Sequence, residues 1–157
     1  MQSVAKILFV CLGNICRSPL AEAIFNEKIK LKGMQKYFQS DSCGTSNYNL
    51  GDDPDSRTIR SAKKNSIPIH HTARQLNQTD LESFDLILAM DGNNLRNILS
   101  LSKPKDTSKI KLMRTYDPRG AGDVPDPYHG EEKDFDEVFE ILDRSVDGLI
   151  KELLQNQ

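Results

Sequence analysis

The sequence predicts an α/β fold with a parallel sheet, because short apolar runs alternate along it with segments of helical periodicity. The run at residues 86–90 is continuously apolar, which is typical of a strand covered on both faces. Apolar residues recur every three or four positions between 135 and 153, which predicts a long amphipathic helix. These patterns favour a layered fold in which helices pack against a central sheet.

Each element follows from a local pattern. Strands are predicted at residues 6–10, 37–43 and 86–90, with a weaker one at 110–113. Helices are predicted at 19–31, 56–65, 93–101 and 135–153. The stretches 44–55 and 116–130 are rich in Gly, Pro, Asn, Asp and Ser, so they are predicted to be loops.

The first helix has a start signal and a stop signal. Ser18 is predicted to be its N-cap, with Pro19 at the first helical position, and Lys32 and Gly33 end it. Its apolar face is predicted to consist of Leu20, Ala23, Ile24 and Leu31. The segment that precedes Ser18 therefore leads from a strand directly into a helix N-terminus.

Length and charge limit the possible classes of protein. At 157 residues the chain is expected to form one domain over 1–157, large enough to bury a core. A formal charge of −2 disfavours nucleic acid or an anionic membrane surface as partner. The apolar runs are too short for a signal peptide or a membrane span. Three cysteines cannot all pair, which favours reduced thiols and a cytoplasmic location.

Residues 11–18 predict a site for a phosphoryl group. Cys11 follows the first strand, and Arg17 and Ser18 lie at the start of the first helix. Between them lie Leu12, Gly13, Asn14, Ile15 and Cys16. Backbone N–H groups of such a loop form a concave anion site, and Arg17 would bind two phosphoryl oxygens. Cys11 would be a thiolate nucleophile that accepts a hydrogen bond from Ser18 Oγ. The alternative is a buried cysteine beside an arginine in a surface ion pair.

A second catalytic residue is expected away from this loop, because an acid that protonates the leaving oxygen speeds the cleavage of a phosphate ester. Asp126 is the candidate, since Pro125 and Pro127 restrict the backbone on both sides of it. The residues themselves fit an ordinary Asp-Pro turn equally well, because Asp53 and Asp117 also precede prolines.

Segment 10–19, Val-Cys-Leu-Gly-Asn-Ile-Cys-Arg-Ser-Pro, closely resembles the signature loop of the low-molecular-weight protein tyrosine phosphatases. Segments 41–46, 71–75, 84–91 and 126–128 also resemble family segments, in the family's order. The resemblance implies a three-layer α/β fold with a central four-stranded parallel sheet and helices on both faces. It also implies hydrolysis of protein phosphotyrosine and small aryl phosphates through a phosphocysteine, with no cofactor and no metal.

The resemblance also implies roles for single residues. Asp126 would be the general acid and base, and Tyr48 and Tyr128 would flank the phosphotyrosine ring. Cys16 would protect Cys11 from over-oxidation through a reversible disulfide. A hydrogen-bond network that supports the loop would be formed by Asn14, Ser18, Ser42 and His71. His129 stands where many relatives carry a second tyrosine, and no role is assigned to it.

Three other functions fit parts of the pattern. Arsenate reductases of one type share the loop but need a downstream cysteine pair, and this chain has no cysteine after Cys43. Protein-arginine phosphatases carry threonine where Ile15 stands, and an apolar side chain there favours an aryl ester. A metal-binding module is disfavoured because the cysteines and histidines lack a second close pair. The expected partners are phosphotyrosine proteins as substrates and phosphate or other oxyanions as inhibitors, and the chain is expected to be a monomer.

Overall fold

The computed structural model describes residues 4–102 and 107–156. The strands are β1 (Ala5–Cys11), β2 (Phe38–Gly44), β3 (Leu86–Ala89) and β4 (Ile110–Leu112). The helices are α1 (Arg17–Leu31), α2 (Ser56–Lys64), α3 (Gln78–Ser83), α4 (Gly92–Leu101) and α5 (Glu132–Gln155). A 3-10 helix spans Met113–Tyr116. The four strands form one parallel sheet in the order β2-β1-β3-β4.

Helices cover both faces of this sheet. On one face, Phe9 of β1 and Leu88 of β3 belong to a core with buried residues of α1 and α5. On the other face, Leu8 and Ile87 belong to a core with residues of α3 and α4. Consecutive residues of β1 therefore enter opposite cores, which explains the continuous apolar run. The predicted three-layer α/β fold with a four-stranded parallel sheet is confirmed.

The carboxyl ends of the central strands meet at one edge of the sheet. Cys11 pairs in register with Gly44, the last residue of β2. On the other side of β1, Val10 pairs with Ala89, the last residue of β3. Ligands of open parallel sheets bind beyond the carboxyl ends of the strands, so this edge is where a site is expected.

The first turn of α1 differs from the prediction. The helix begins at Arg17, and Cys16 holds the N-cap position without a side-chain cap, so the predicted N-cap role of Ser18 is wrong. Pro19 is the third helical residue and not the first. A proline is tolerated there because the first four N–H groups of a helix have no partner within the helix.

Two features of the helices were not predictable from local periodicity. Leu31, expected on the apolar face of α1, is 78% exposed, while Ile29 is buried. Leu31 is the last residue of the helix and lies beyond its packed face. The six-residue helix α3 is too short to show a periodic pattern, and it depends on a capping box between Asn77 and Asp80.

The long loop after the 3-10 helix is held at its start and near its middle. Asp117 accepts hydrogen bonds from Arg114 Nε and Arg144 Nε, both at 2.9 Å. Burial alone would raise the pKa of the Asp117 carboxyl, but its bonds with the arginines lower that pKa to about 2. Further along, Val124 N donates to Met90 O at 2.8 Å. The loop is thereby fixed beside the carboxyl edge of the sheet.

The last helix, α5, is the longest at 24 residues. Its apolar face contributes Val138, Leu142 and Val146 to the core, and its polar face pairs Asp136 with Lys64 of α2. This amphipathic character matches the prediction. Within residues 4–102 and 107–156, no helix, α5 included, is both long enough and apolar enough to cross a membrane.

Candidate active site

The loop between β1 and α1, residues 11–18, surrounds a cysteine thiol. Cys11 is 2% exposed, and its Sγ lies 3.0 Å from Ser18 Oγ and 3.3 Å from the backbone N of Asn14. Ser18 Oγ already accepts from Asn14 Nδ2 at 2.8 Å, so its hydroxyl proton is left to donate. Of its two acceptors, Sγ is nearer than Cys43 O at 3.3 Å. A backbone N–H and a hydroxyl thus converge on the sulfur, and both can donate to it.

The backbone of the loop turns its carbonyl groups outward. Cys11 O accepts from Thr45 N at 2.9 Å, and Leu12 O accepts from Ser46 N at 3.0 Å. Asn14 adopts a left-handed conformation with φ of 59°, which an asparagine tolerates better than most residues. The Asn14 N–H points to the Cys11 sulfur at the centre of the loop. A loop of this kind at a helix N-terminus can hold an anion.

Gly44 allows this loop to lie against β2. A Cβ atom on Gly44 would lie 2.6 Å from Leu12 O and 3.2 Å from Asn14 N. Contacts that short with backbone atoms exclude a side chain unless the loop moves. The glycine at the end of β2 is therefore a requirement of the loop's position.

A buried hydrogen-bond network holds the side chain of Asn14. Its Nδ2 donates to Ser18 Oγ at 2.8 Å and to Ser42 Oγ at 3.1 Å. Its Oδ1 accepts from His71 Nε2 at 2.7 Å and from Arg74 N at 3.0 Å. The structure thus brings Asn14, Ser18, Ser42 and His71 together, and a fully bonded network of this kind makes its loop rigid.

Glu22, which the sequence analysis did not single out, extends this network. Its Oε1 accepts from Ser42 Oγ at 2.8 Å and lies 3.3 Å from His71 Nδ1. Burial raises the pKa of Glu22 to about 7 and lowers the pKa of His71 below its usual value. Both shifts favour neutral side chains, with one proton between Glu22 and Nδ1. Asp41, whose charge opposes the shift of His71, lies near the pair.

Arg17 lies under the loop and bonds to two later segments. Its Nη1 donates to Asp91 Oδ2 at 2.6 Å and to Val124 O at 2.9 Å. Burial would lower the pKa of Arg17, but Cys11 and Asp91 raise it overall, so the guanidinium stays charged. Asp91 also caps α4 through Asn94 N. Because one carboxylate oxygen serves the helix and the other serves Arg17, α4 fixes the orientation of the guanidinium.

Asp126 lies on the far side of the guanidinium. Its Oδ2 is 3.6 Å from Arg17 Nη2, and its Oδ1 accepts from Tyr128 N at 3.1 Å. The Asp126 side chain is 42% exposed, in contrast to the buried Arg17. An aspartate separated from Cys11 by more than a hundred residues thus faces the same cation.

These groups line a cavity of about 300 Å³, large enough for an aromatic ring. The predicted residues on its wall are Cys11, Leu12, Gly13, Ile15, Cys16, Arg17, Tyr48, Asp126 and Tyr128. Asn49 and His129 also line it and were not predicted. Tyr48 is 76% exposed and Tyr128 is 46% exposed, so both lie at the mouth. The cavity therefore has a polar, buried floor and an aromatic, open rim.

Cys16 lies in the cavity wall as a buried thiol. Burial, the charge of Asp55 and the charge of Cys11 raise the pKa of Cys16 to about 12. The structure describes Cys11, Cys16 and Cys43 as free cysteines, and Cys43 is buried in the core, as predicted. The Cys16 thiol is therefore protonated at neutral pH.

Three comparisons with known proteins agree with this geometry. The family model described as "Low molecular weight phosphotyrosine protein phosphatase" matches residues 6–157. This chain belongs to that family. A protein of that name from Gallus gallus is 45% identical over 87% of this chain and 88% of its own length. A protein tyrosine phosphatase from Entamoeba histolytica, solved with Hepes in the active site, has a TM-score of 0.94 and 36% identity, and the match covers 97% of this chain and 98% of that one.

The similarity extends to a relative of different stated activity. A Drosophila arginine phosphatase has a TM-score of 0.87 and 30% identity, and the match covers 94% of this chain and 97% of that one. The resemblance identified from segment 10–19 is confirmed at the level of the family. In this chain, Cys11 and Arg17 occupy the ends of a Cys-x5-Arg loop.

Proposed function

We propose that this chain hydrolyses phosphotyrosine in proteins, and small aryl phosphates, through a phosphocysteine formed on Cys11. The observation that carries the proposal is the convergence of Cys11, Arg17 and Asp126 on one cavity. A nucleophile, a cation for the phosphoryl oxygens and an acid are the three groups that this reaction needs.

In the first step, the Cys11 thiolate attacks phosphorus and the bond between phosphorus and the phenolic oxygen breaks. Asp126 gives its proton to that oxygen, so that tyrosine leaves as a neutral phenol. Arg17 and the N–H groups of Leu12, Gly13, Asn14, Ile15, Cys16 and Ser18 bind the three non-bridging oxygens. Donors that are already oriented cost no rearrangement as charge builds up on these oxygens.

In the second step, the Asp126 carboxylate takes a proton from water as the water oxygen attacks phosphorus. The bond between sulfur and phosphorus breaks, phosphate leaves, and Cys11 returns to its thiolate form. Ser18 Oγ, which lies 3.0 Å from the sulfur, would support this departure by donating a hydrogen bond to the thiolate. Activity requires Cys11 ionised and Asp126 protonated at the start, so the rate is expected to pass through a maximum with pH.

The rim of the cavity supports an aryl substrate. Tyr48 and Tyr128 present aromatic surface on the wall, where they would flank the phosphotyrosine ring. Ile15 adds an apolar, half-buried side chain to the same wall. Asn14, Ser42 and His71 would act by holding the loop in its anion-binding shape.

Phosphoarginine is the second candidate substrate, because the structural likeness includes a Drosophila arginine phosphatase. A guanidinium-bearing substrate would need polar partners at the position of Ile15, where the side chain is apolar. We therefore expect phosphotyrosine to be preferred.

The test compares phosphotyrosine, phosphoserine and phosphoarginine peptides of one sequence. Wild type should cleave the phosphotyrosine peptide best, and Cys11→Ser should lose at least about 10³-fold in kcat. Asp126→Asn should lose about 10²- to 10⁴-fold. Cys43→Ala, which removes a thiol outside the cavity, is the matched control and should keep its activity. Full activity in Cys11→Ser would sink the covalent route, and a preference for phosphoarginine would overturn the assignment of substrate.

Further properties of the proposed enzyme follow from the same site. Loop amides and Arg17 supply the charge stabilisation, so we propose that no metal is needed and that a chelator leaves activity unchanged. Inorganic phosphate should inhibit competitively because it fits the anion site. We also propose a monomer, to be checked by gel filtration, in a cytoplasmic compartment reducing enough to keep Cys11 a free thiol.

A further inference from the structure

Arg57, in the first turn of α2, contacts the segment that carries Asp126. We call residues 124–131 the acid segment. Arg57 Nη2 donates to Tyr128 O at 3.0 Å, and Nη1 donates to Gly130 O at 3.4 Å. The Arg57 side chain is 27% exposed, so it lies largely between α2 and the acid segment. One guanidinium therefore donates hydrogen bonds to two backbone carbonyl groups of the acid segment, those of Tyr128 and Gly130.

The same guanidinium is held from the opposite side by Asp55. Arg57 Nε donates to Asp55 Oδ1 at 3.0 Å, and Nη2 donates to Asp55 Oδ2 at 2.9 Å. A bidentate pair of this kind fixes the plane of the guanidinium. Asp55 N in turn donates to Ile15 O at 2.8 Å. The contacts thus run from the nucleophile loop through Asp55 and Arg57 to the acid segment.

Two aromatic rings also contact the Arg57 guanidinium. Its guanidinium carbon lies 4.3 Å from the ring centroid of Phe135 and 5.8 Å from that of Tyr128. Phe135 is a buried residue of α5, so the stacking contact connects the guanidinium to the core. Loop 45–55, α2 and α5 therefore all determine where Arg57 holds the acid segment.

Tyr128 joins Arg57 to the proposed acid. Its N–H donates to Asp126 Oδ1 at 3.1 Å, while its C=O accepts from Arg57. Asp126 itself is 42% exposed, and its other oxygen is 3.6 Å from Arg17. A side chain so exposed depends on its backbone for its position. Fixing the two ends of Tyr128 is a direct way to fix that backbone.

We propose that Arg57 is a positioning residue that orients Asp126 for proton transfer. The inference rests on the proposed function, because it assumes that Asp126 is the acid. Arg57 is not among the cavity-lining residues in the described part of the chain, so it acts through Asp126 and does not contact the substrate.

The test uses leaving groups of different basicity. Phenyl phosphate needs a proton on its leaving oxygen, whereas dinitrophenyl phosphate releases a stable anion without one. Arg57→Ala should lower kcat/KM for phenyl phosphate about tenfold and for dinitrophenyl phosphate less than about twofold. Asp126→Asn should also lower kcat/KM for phenyl phosphate more than for dinitrophenyl phosphate, and the difference between the two substrates should be larger than in Arg57→Ala. A purely structural role of Arg57 would lower both values alike.

A double-mutant cycle and two control variants complete the design. Arg57→Ala should add less than about twofold to the loss in an Asp126→Asn background, because both changes remove one function. Arg57→Lys keeps the charge without the fork, and it should recover only part of the activity on phenyl phosphate. Arg60→Ala is the matched control, since Arg60 lies on the same helix and pairs with the exposed Glu132. That variant should behave as wild type, and the melting temperature of each protein reports on folding.

The outcomes separate the two proposals. If Asp126→Asn shows no dependence on the leaving group, Asp126 is not the acid, and the proposed function and this inference both fail. If Asp126→Asn shows the dependence but Arg57→Ala lowers both substrates equally, or adds its full effect to Asp126→Asn, only the role of Arg57 is overturned. The inference is supported if Arg57→Ala and Asp126→Asn each slow the cleavage of phenyl phosphate more than that of dinitrophenyl phosphate. The double variant must also lose little more activity than Asp126→Asn alone.

Discussion

The floor and the rim of the cavity are built in different ways. On the floor, Cys11 and Arg17 are each 2% exposed, and Asn14, which is 1% exposed and hydrogen-bonded to the Cys11 sulfur, supports them from outside the cavity. On the rim, Tyr48 and Tyr128 are largely exposed, and the acid segment between α2 and α5 is held through backbone contacts. A buried network gives the phosphoryl group one geometry. An open rim leaves room for leaving groups that differ in shape.

This contrast predicts that changes on the floor, like a change of the acid Asp126, cost catalysis, while changes to the tyrosines of the rim cost binding. Interactions made only in the transition state lower kcat when they are lost, whereas uniform binding raises KM. Each variant below tests one side of that division.

Replacing Arg17 should have the largest effect of these variants. Lysine in Arg17→Lys keeps a charge, but a single ammonium cannot bind Asp91, Val124 O and the phosphoryl oxygens in a planar fork. We expect kcat/KM on an aryl phosphate to fall about 10²- to 10³-fold. Thermal denaturation checks that the variant is folded. A fall of less than about tenfold would show that the floor tolerates a point charge, and the contrast with the rim would be lost.

Replacing Glu22 should change stability with pH. The Glu22 carboxyl has a pKa of about 7 in the fold against 4.5 when it is exposed to solvent, so between these values the unfolded chain releases its proton while the fold keeps it. The free energy of unfolding contributed by Glu22 therefore falls as pH rises from 4.5 to above 7, by about 3 kcal/mol.

Glu22→Gln cannot ionise and keeps an oxygen for Ser42 Oγ. Urea denaturation at two pH values, one near 5 and one near 8, measures the difference between wild type and this variant. The variant should lose less stability over that range. If wild type and Glu22→Gln lose the same stability between the two pH values, the network around Ser42 and His71 does not keep Glu22 neutral.

Replacing Tyr48 should have the smallest effect. Tyr48 is 76% exposed, so Tyr48→Ala removes aromatic surface from the rim and leaves the floor intact. We expect KM for a phosphotyrosine peptide to rise less than about fivefold, with kcat unchanged. Tyr48→Phe keeps the ring and serves as the control. A fall in kcat beyond about tenfold would place Tyr48 in the catalytic machinery and contradict the division.

Much of the fold was predictable because it depends on local patterns. The strand predicted at 86–90 matched β3, because a strand buried on both faces shows a continuous apolar run. The helix predicted at 135–153 matched α5, because a helix buried along one stripe shows apolar residues at every third or fourth position. The end of α1 was marked by Gly33, which has a positive φ of 67°. The start of α1 was predicted wrongly, because the Ser18 hydroxyl contacts the Cys11 sulfur and does not cap the helix.

The site divides in the same manner. Cys11 and Arg17 were found because one loop contains both. Asp91, Glu22 and Arg57 were missed because their significance lies in contacts between distant segments, such as the 74 positions that separate Arg17 from Asp91. Asn49 and His129 line the cavity through the shape of loops, which composition does not reveal. The sequence therefore located the loop that holds Cys11 and Arg17, but it could not locate contacts from distant segments, such as the one between Asp91 and Arg17.

The environment of Cys16 has a consequence for covalent labelling. A thiol with a pKa of about 12 is ionised in roughly one molecule in 10⁵ at neutral pH. An alkylating reagent that enters the cavity therefore meets Cys16 as a protonated thiol, although the Cys16 side chain lines the wall. Cys16 should thus resist small electrophiles at neutral pH, and its position in the cavity alone does not make it a target for labelling.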